Sequence, residues 1–188
     1  MAYTALLDAS VLHPMVLCDI LIRLAQRGLY RALWSREILE EVVRSIARRR
    51  PDLSVTLLRK RTAAMQAALQ DATVEGYEAL MPALQELGDD AHVAAAAVFG
   101  RADVIVTSNV RDFPARVLER HRIAAQSPDD FLTHQWWLDP VTVVEVRDQV
   151  LREERRGLVR RGVERPTQRV SLAVDRGGAF FASSRSRW

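Results

Sequence analysis

Residues 88–114 read GDDAHVAAAAVFGRADVIVTSNVRDFP, which predicts a helix, a strand and a turn in direct succession. Asp89 and Asp90 open the alanine-rich helix, because carboxylates at a helix start are stabilised by free backbone N–H groups and by the helix dipole. Gly100 ends that helix, and the apolar strand 104–106 follows. By itself the acidic pair is also an ordinary start signal for a helix, so its meaning depends on carboxylates elsewhere in the chain.

Two further acidic positions come from the first third of the chain. Residues 3–7 form a short apolar run that predicts a strand, and Asp8 follows it directly. A helix is predicted over residues 36–49, with Ser35 as its N-cap and Glu41 beside its apolar stripe. Open α/β sheets place their sites beyond the carboxyl ends of parallel strands. We therefore expect carboxylates that are distant in sequence to meet at one edge of a sheet.

The order of these pieces resembles a known family. LLDAS, then SREILEEV, DDAHVAAAA and VIVTSNVRDFP together look like a PIN domain, in the branch of VapC-type toxins from bacterial toxin–antitoxin pairs. The resemblance covers residues 3–132 and rests on the combination, since each piece alone is weak. It implies metal ligands at Asp8, Asp90 and Asp112, and a catalytic set formed by Asp8, Glu41, Asp90 and Asp112.

The resemblance also implies residues that support this acidic set. The family has a T-x-[DN] signature after the strand, and many members carry Asp where this chain has Asn109. The acid three positions later is therefore taken as the fourth carboxylate. Two supporting residues, Glu40 and Asp89, remain alternatives to the acids that follow them. The full supporting set is Thr107, Asn109, Ser10, Asp89 and Glu40.

Strands alternating with amphipathic helices predict an α/β fold, an α/β/α sandwich around a short parallel sheet. Residues 1–133 are assigned to a PIN-like nuclease domain. Residues 134–188 are assigned to a small, mainly helical and basic C-terminal extension, with a helix over residues 140–156. Residues 131–188 carry 11 basic and 7 acidic side chains, which permits a polyanionic partner.

Several local predictions accompany this architecture. Residues 30–34 are interpreted as a short connector, and His92 as a residue on a helix surface. Three of the four tryptophans, Trp34, Trp136 and Trp137, are interpreted as packing residues. Arginine clusters are often only solvated faces, but the C-terminal cluster is also predicted to bind RNA phosphate. Its members are Arg155, Arg156, Arg160 and Arg161.

Several carboxylates in one cleft resist joint ionisation, because like charges raise one another's pKa. A hard divalent cation such as Mg²⁺ or Mn²⁺ removes that conflict and accepts oxygen ligands. Such an ion lowers the pKa of water and stabilises the leaving oxygen of a phosphate ester. The acidic set therefore predicts phosphodiester hydrolysis without a protein nucleophile.

Composition excludes several other classes. The chain has 48% apolar and 27% charged residues and a net charge of +3, which is typical of a soluble globular protein. No apolar run approaches the roughly 18–20 residues of a membrane span, and Cys18 is the only cysteine, so we expect a cytoplasmic protein without an internal disulfide. The four histidines are scattered, and the motifs of zinc proteases, P-loop enzymes and α/β-hydrolases do not occur.

The predicted function is a metal-dependent endoribonuclease, a hydrolase of RNA phosphodiester bonds that uses Mg²⁺ or Mn²⁺. The resemblance implies that it is the toxin of a toxin–antitoxin pair, with a VapB-type antitoxin and a homodimer. Two alternatives stay open: a housekeeping nuclease that processes RNA or DNA, and a catalytically silent PIN fold that acts as a binding module. Asn109 is the residue that favours the silent module.

Overall fold

A five-stranded parallel sheet forms the centre of the molecule. The computed structural model describes residues 3–160, with the side chains of residues 3–157, and the short segments 172–174 and 180–182. The strands are β1 (Thr4–Leu7), β2 (Arg31–Ser35), β3 (Thr73–Val74), β4 (Val104–Val106) and β5 (Ala124–Gln126), in the spatial order β3-β2-β1-β4-β5. All neighbouring strands are parallel. The strand order reverses between β1 and β4, which is where sheets of this kind place a binding site.

Helices surround this sheet. They are α1 (Ala9–Leu12), α2 (Met15–Gln26), α3 (Arg36–Arg49), α4 (Val55–Ala68), α5 (Ala91–Phe99), α6 (Ala115–Leu118), α7 (Pro128–Leu138) and α8 (Pro140–Arg160). Segments of 3₁₀-helix cover Gln70–Ala72, Glu78–Asp90, Val110–Asp112 and Glu119–His121. The segments β6 (Leu172–Val174) and β7 (Phe180–Ala182) pair antiparallel. The predicted α/β/α sandwich with a mainly helical C-terminal region is confirmed.

Local capping chemistry sets where the helices begin. The Ser35 hydroxyl accepts a hydrogen bond of 3.1 Å from the backbone N–H of Ile38 and so caps α3. Ser127 caps α7 in the same way, with a proline at the first helical position. The N-cap at Ser35 was predicted. An N-cap satisfies an amide that would otherwise lack a partner and typically contributes about 1 kcal/mol.

The prediction of a connector over residues 30–34 was wrong, because residues 31–35 form the strand β2. The strand lies between β1 and β3, and Leu33 pairs with Leu6 in register. Leu33 and Trp34 are fully buried. Five residues without alternating polarity give no periodic signal, and a strand covered on both faces reads as a continuous apolar run.

Helix α5 is buried along almost its whole length. Residues 91–97 are all buried, and the helix lies against the central strands. Alanine side chains allow this close approach. The prediction that His92 lies on the surface of the helix was therefore wrong: the side chain is only 8% exposed.

Helix α8 is longer than predicted and packs on α2. Val143, Val146 and Val150 form its buried stripe. Arg23 of α2 donates to Glu153 of α8 at 2.6 Å, which adds a polar contact at the edge of the interface. The predicted domain boundary after residue 133 falls within α7, and the division into a nuclease domain and an extension stays a prediction.

The tryptophans of α7 behave differently from one another. Trp136 is partly buried and packs against the core. Trp137 is 66% exposed, so the interpretation of this residue as a packing residue was wrong. Cys18 is buried. None of the helices in the described residues combines the length and the apolar character that a bilayer-spanning segment requires.

Candidate metal and catalytic site

Asp8 lies directly after β1, next to the residues that follow β4. Its side chain is only 6% exposed. Its Oδ2 accepts hydrogen bonds from the hydroxyl of Ser10 at 2.6 Å and from the hydroxyl of Thr107 at 2.8 Å. Both bonds end on the same carboxylate oxygen, so Oδ1 is the oxygen that they leave for another partner. Two neighbouring strands thus hold one buried carboxylate in a fixed orientation.

The hydroxyls that hold Asp8 are themselves held by the backbone after β4. The N–H of Ser108 donates to the Ser10 hydroxyl at 2.9 Å, and the N–H of Asn109 donates to the Thr107 hydroxyl at 3.0 Å. Thr107 is fully buried. This network gives physical reasons for Ser10 and Thr107 as supporting residues. Asn109 enters it through its backbone, and the residue is exposed.

Asp90 is the second acid of the cluster. It ends the 3₁₀ segment Glu78–Asp90 and immediately precedes α5. Gly88 turns the chain with φ of +57°, a conformation that favours glycine. Burial raises the pKa of the Asp90 carboxyl to about 6, and the negative charges of Asp8, Asp112 and Glu41 raise it as well. Asp90 is therefore within electrostatic range of all three other predicted catalytic acids.

Glu41 approaches the cluster from α3. It is half-buried, and burial raises the pKa of its carboxyl, with a further rise from the charge of Asp8. The positive charges of His92, Arg44 and Arg48 oppose that rise. Glu41 thus lies within electrostatic range of Asp8, although the two residues are 33 positions apart in the sequence.

Asp112 occupies the turn after β4 and is exposed. Its charge contributes to the raised pKa of Asp90, which places it at the open side of the cluster. Glu40 and Asp89 are both exposed and are absent from the charges that raise the pKa of Asp90 or Glu41. The geometry thus favours Glu41 and Asp90 over their neighbours, while the catalytic role of the set remains a prediction.

His92 is a member of this region that the sequence did not reveal. Its Nε2 lies 3.7 Å from Oε2 of Glu41, and its Nδ1 lies 3.9 Å from Oε2 of Glu37. The sequence did contain a usable signal. A helix that is apolar all round is a buried helix, so a single polar side chain within it has to face a polar neighbour.

Two of the four predicted RNA-binding arginines have side chains that the structure describes. Arg155 and Arg156 are exposed on α8. For Arg160 the structure describes the helical backbone only, and Arg161 lies outside the described residues. No contact of Arg155 or Arg156 with the acidic residues is present in the described part of the chain, and their role stays a prediction.

The donor set fits a hard divalent cation. Asp8, Asp90 and Asp112 offer carboxylate oxygens, the type of ligand that Mg²⁺ and Mn²⁺ prefer. Within the described residues, no three His, Cys, Asp or Glu side chains are grouped so that they alone could hold an ion. Mg²⁺ keeps several waters and takes one or two carboxylates plus substrate phosphate, and a metal ion at these residues stays a prediction.

We expect Thr107→Val to destabilise the protein by about 1–3 kcal/mol, because the buried Asp8 carboxylate loses one of its two hydroxyl donors and the backbone N–H of Asn109 loses its acceptor. The free energy of unfolding in urea measures the effect. Thr133→Val is the control, since its hydroxyl only donates to the carbonyl of Asp129 within α7. An equal loss in both variants would show that the Thr107 hydroxyl has no special structural role.

Comparison with known proteins identifies the family of the chain. Residues 4–111, more than half of the chain, match the sequence model of the family described as "PIN domain". A segment of 67 residues is 46% identical to "Putative ribonuclease VapC50" of Mycobacterium tuberculosis, covering 36% of this chain and 40% of that protein. The aligned segment thus spans less than half of the relative's length. No solved structure matches the chain significantly. The resemblance read from the sequence is confirmed, and the chain belongs to the PIN domain family.

Proposed function

We propose that this protein is a metal-dependent endoribonuclease and the toxin of a toxin–antitoxin pair. One observation carries the proposal: the buried carboxylate of Asp8 is fixed by the hydroxyls of Ser10 and Thr107. Its charge, with those of Asp112 and Glu41, adds to burial in raising the pKa of the Asp90 carboxyl to about 6. These four acids come from four separate elements of the chain. Without a cation such a cluster opposes its own ionisation. It therefore lowers the stability of the metal-free fold, whereas its oxygens suit a metal site.

Asp8, Asp90 and Asp112 would hold the metal, directly or through water. The oxygen Oδ1 of Asp8 is the natural ligand atom, because the hydroxyls of Ser10 and Thr107 already occupy Oδ2. When bound there, Mg²⁺ or Mn²⁺ would polarise a phosphate oxygen and lower the pKa of water. The choice between these ions is part of the proposal.

The chain's own groups would position the reactants. Ser10 and Thr107 fix the orientation of the Asp8 carboxylate. Glu41 would orient the attacking water with its carboxylate and take up its proton, and its raised pKa moves it toward the range in which a general base is effective. The water oxygen would bond to phosphorus as the phosphorus–oxygen bond to the leaving ribose breaks.

The substrate class and the partners belong to the proposal too. The likeness of 67 residues to a protein named as a ribonuclease supports RNA as the substrate. A VapB-type antitoxin and a homodimer are proposed from the same likeness, together with a cytoplasmic location. The exposed residues Arg155 and Arg156 would, with Arg160 and Arg161, contact RNA phosphate at a distance from the cluster.

We expect the purified protein to cut total RNA in the presence of Mg²⁺ or Mn²⁺ and to stop when EDTA removes the ion. Asp8→Asn should lower the cleavage rate by at least about 100-fold, since even the outer-shell partners of metal ligands cost 10- to 100-fold. Glu40→Gln is the matched control, because Glu40 is exposed on the same helix as Glu41. Cleavage that survives EDTA would contradict the mechanism.

The same preparation separates the competing functions. Calorimetry that detects no binding of Mg²⁺ or Mn²⁺ to the folded protein would favour the silent binding module. Cleavage without growth arrest on expression would favour a housekeeping nuclease, whereas growth arrest relieved by Asp8→Asn supports the toxin.

A further inference from the structure

Helix α3 carries acidic and basic side chains in one row along its outer face. Glu37, Glu41, Arg44 and Arg48 follow one another at intervals of three or four residues, so they lie along the same face of the helix. The opposite face, which includes Ile38, is buried. The acidic end of the row lies at the site, and the basic end leads away from it.

The two arginines are close to the site and available. Their charges oppose the pKa rise of the Glu41 carboxyl, so they lie within electrostatic range of it. Both are exposed, and neither forms an ion pair with another side chain in the described part of the chain. Many other arginines are paired: Arg23 with Glu153, Arg36 with Glu75, Arg50 with Asp52 and Arg116 with Glu86.

The spacing of the row suits an extended polyanion. With a rise of about 1.5 Å per residue, Arg44 lies about 4.5 Å and Arg48 about 10.5 Å beyond Glu41 along the helix axis. Each guanidinium presents a planar fork of donors that matches the oxygens of a phosphate. Two successive contacts can therefore follow one strand as it leaves the site.

The positive surface continues beyond the end of α3. Burial lowers the pKa of His13, and the charges of Arg49 and Arg61 lower it further, so both arginines lie near the residue that ends α1. Arg61 is fixed there, since it donates to the carbonyl of Leu12 at 2.7 Å. Arg49, the last residue of α3, and Arg61 of α4 thus form a second basic area beside α1.

We propose that Arg44 and Arg48 form a track on α3 that binds the phosphates of single-stranded RNA flanking the bond to be cut. The inference rests on the proposed function and adds where the substrate runs. A cluster of carboxylates repels RNA, and a cationic row beside it supplies the attraction that brings the strand to the cluster. The row also gives the bound strand a direction along the helix.

The test is binding of a short fluorescein-labelled single-stranded RNA to the full-length protein in EDTA, followed by anisotropy at several NaCl concentrations. Arg44→Gln/Arg48→Gln should weaken binding by about ten- to a hundred-fold near 0.1 M salt. It should also reduce the slope of log affinity against log salt by about 1.4, since each phosphate contact on a single strand contributes about 0.7. Arg44→Lys/Arg48→Lys should restore most of that slope.

The control is Arg31→Gln/Arg101→Gln, which removes the same charge. Both residues are exposed, at the amino ends of β2 and β4 and thus at the edge of the sheet opposite to Asp8. We expect the affinity to stay within about twofold of the wild type and the salt slope to stay unchanged. Equal losses in the two double variants would overturn the track, because they would show only an effect of net charge. Tighter binding of single-stranded DNA of the same sequence would overturn RNA as the partner.

The outcomes distinguish the track from the proposed reaction. If the wild type cuts RNA and Arg44→Gln/Arg48→Gln binds RNA as tightly as the wild type, the track is overturned and the nuclease stays in place. RNA binding with the expected change of slope, in a protein that cuts no RNA with either metal, would support the track and overturn the hydrolysis. Unfolding midpoints equal to that of the wild type confirm that the exposed substitutions leave the fold intact.

Discussion

Replacing Asp90 with asparagine is expected to abolish RNA cleavage and, at the same time, to raise the melting temperature of the metal-free protein. The activity should fall by at least about 100-fold, because a proposed metal ligand is lost. The melting temperature at pH 8 should rise by about 2–4 °C, which corresponds to about 1 kcal/mol in a chain of this length. A loss of activity together with a gain of stability would show that this carboxylate serves the reaction and not the fold.

The direction of the stability effect follows from the pKa. In the folded protein the Asp90 carboxyl has a pKa of about 6, against an ordinary value of 3.8. A carboxyl whose pKa is raised by folding stabilises the protein fully below about pH 4, and this stabilisation is lost as the pH rises through about 6. The shift alone would correspond to about 3 kcal/mol, which solvent screening of the half-exposed group reduces to about 1 kcal/mol.

Calorimetric melting between pH 4 and pH 8, with and without Mg²⁺, measures this effect. The metal-free wild type should lose stability across about pH 4–6 relative to Asp90→Asn, and Mg²⁺ at pH 8 should restore it in the wild type only. Asp89→Asn is the control, since Asp89 is exposed and adjacent in the chain. A melting temperature of Asp90→Asn below that of the wild type at pH 8 would show that the cluster is not under electrostatic strain.

Features of the fold that depend on local chemistry were predictable. Ser35 and Ser127 cap helices because their hydroxyls bond to amides three residues later, an interaction that the sequence alone specifies. The bounds of α3, Arg36–Arg49, agree with the prediction. Strand β2 was not predicted because the interactions that stabilise it are not local. Its residues are held by parallel pairing with β1 and β3, which lie far from it in the sequence.

The same distinction applies to the site. That Asp8 and the residues after β4 meet was predictable, since the carboxyl ends of neighbouring parallel strands share an edge. The choice between Asp89 and Asp90 was open in the sequence because it depends on the kink at Gly88, where φ is +57°. The contact of His92 with Glu41 depends on how two helices are oriented about the sheet. Neither the backbone angle at Gly88 nor the orientation of these two helices can be read from a sequence motif.

Trp34→Ala should be strongly destabilising, and it tests the strand that the sequence analysis missed. Trp34 is fully buried in β2, and truncation of a buried tryptophan typically costs about 3–5 kcal/mol. That loss corresponds to roughly 6–20 °C in the melting temperature. The cost is packing alone, since the indole Nε1 has no hydrogen-bond partner in the described part of the chain.

Trp137→Ala is the matched control, because the same side chain there is 66% exposed and touches mainly Trp136 at a ring distance of 5.1 Å. It should cost less than about 1 kcal/mol. Urea unfolding of both variants measures the two losses of stability, and a small, equal loss in both would mean that residues 31–35 are a connector after all.

Trp34→Ala should also impair metal binding, since β2 ends in Ser35, the residue that caps α3 and thereby places Glu41 at the cluster. Packing within the sheet and the geometry of the site are thus coupled through a single strand.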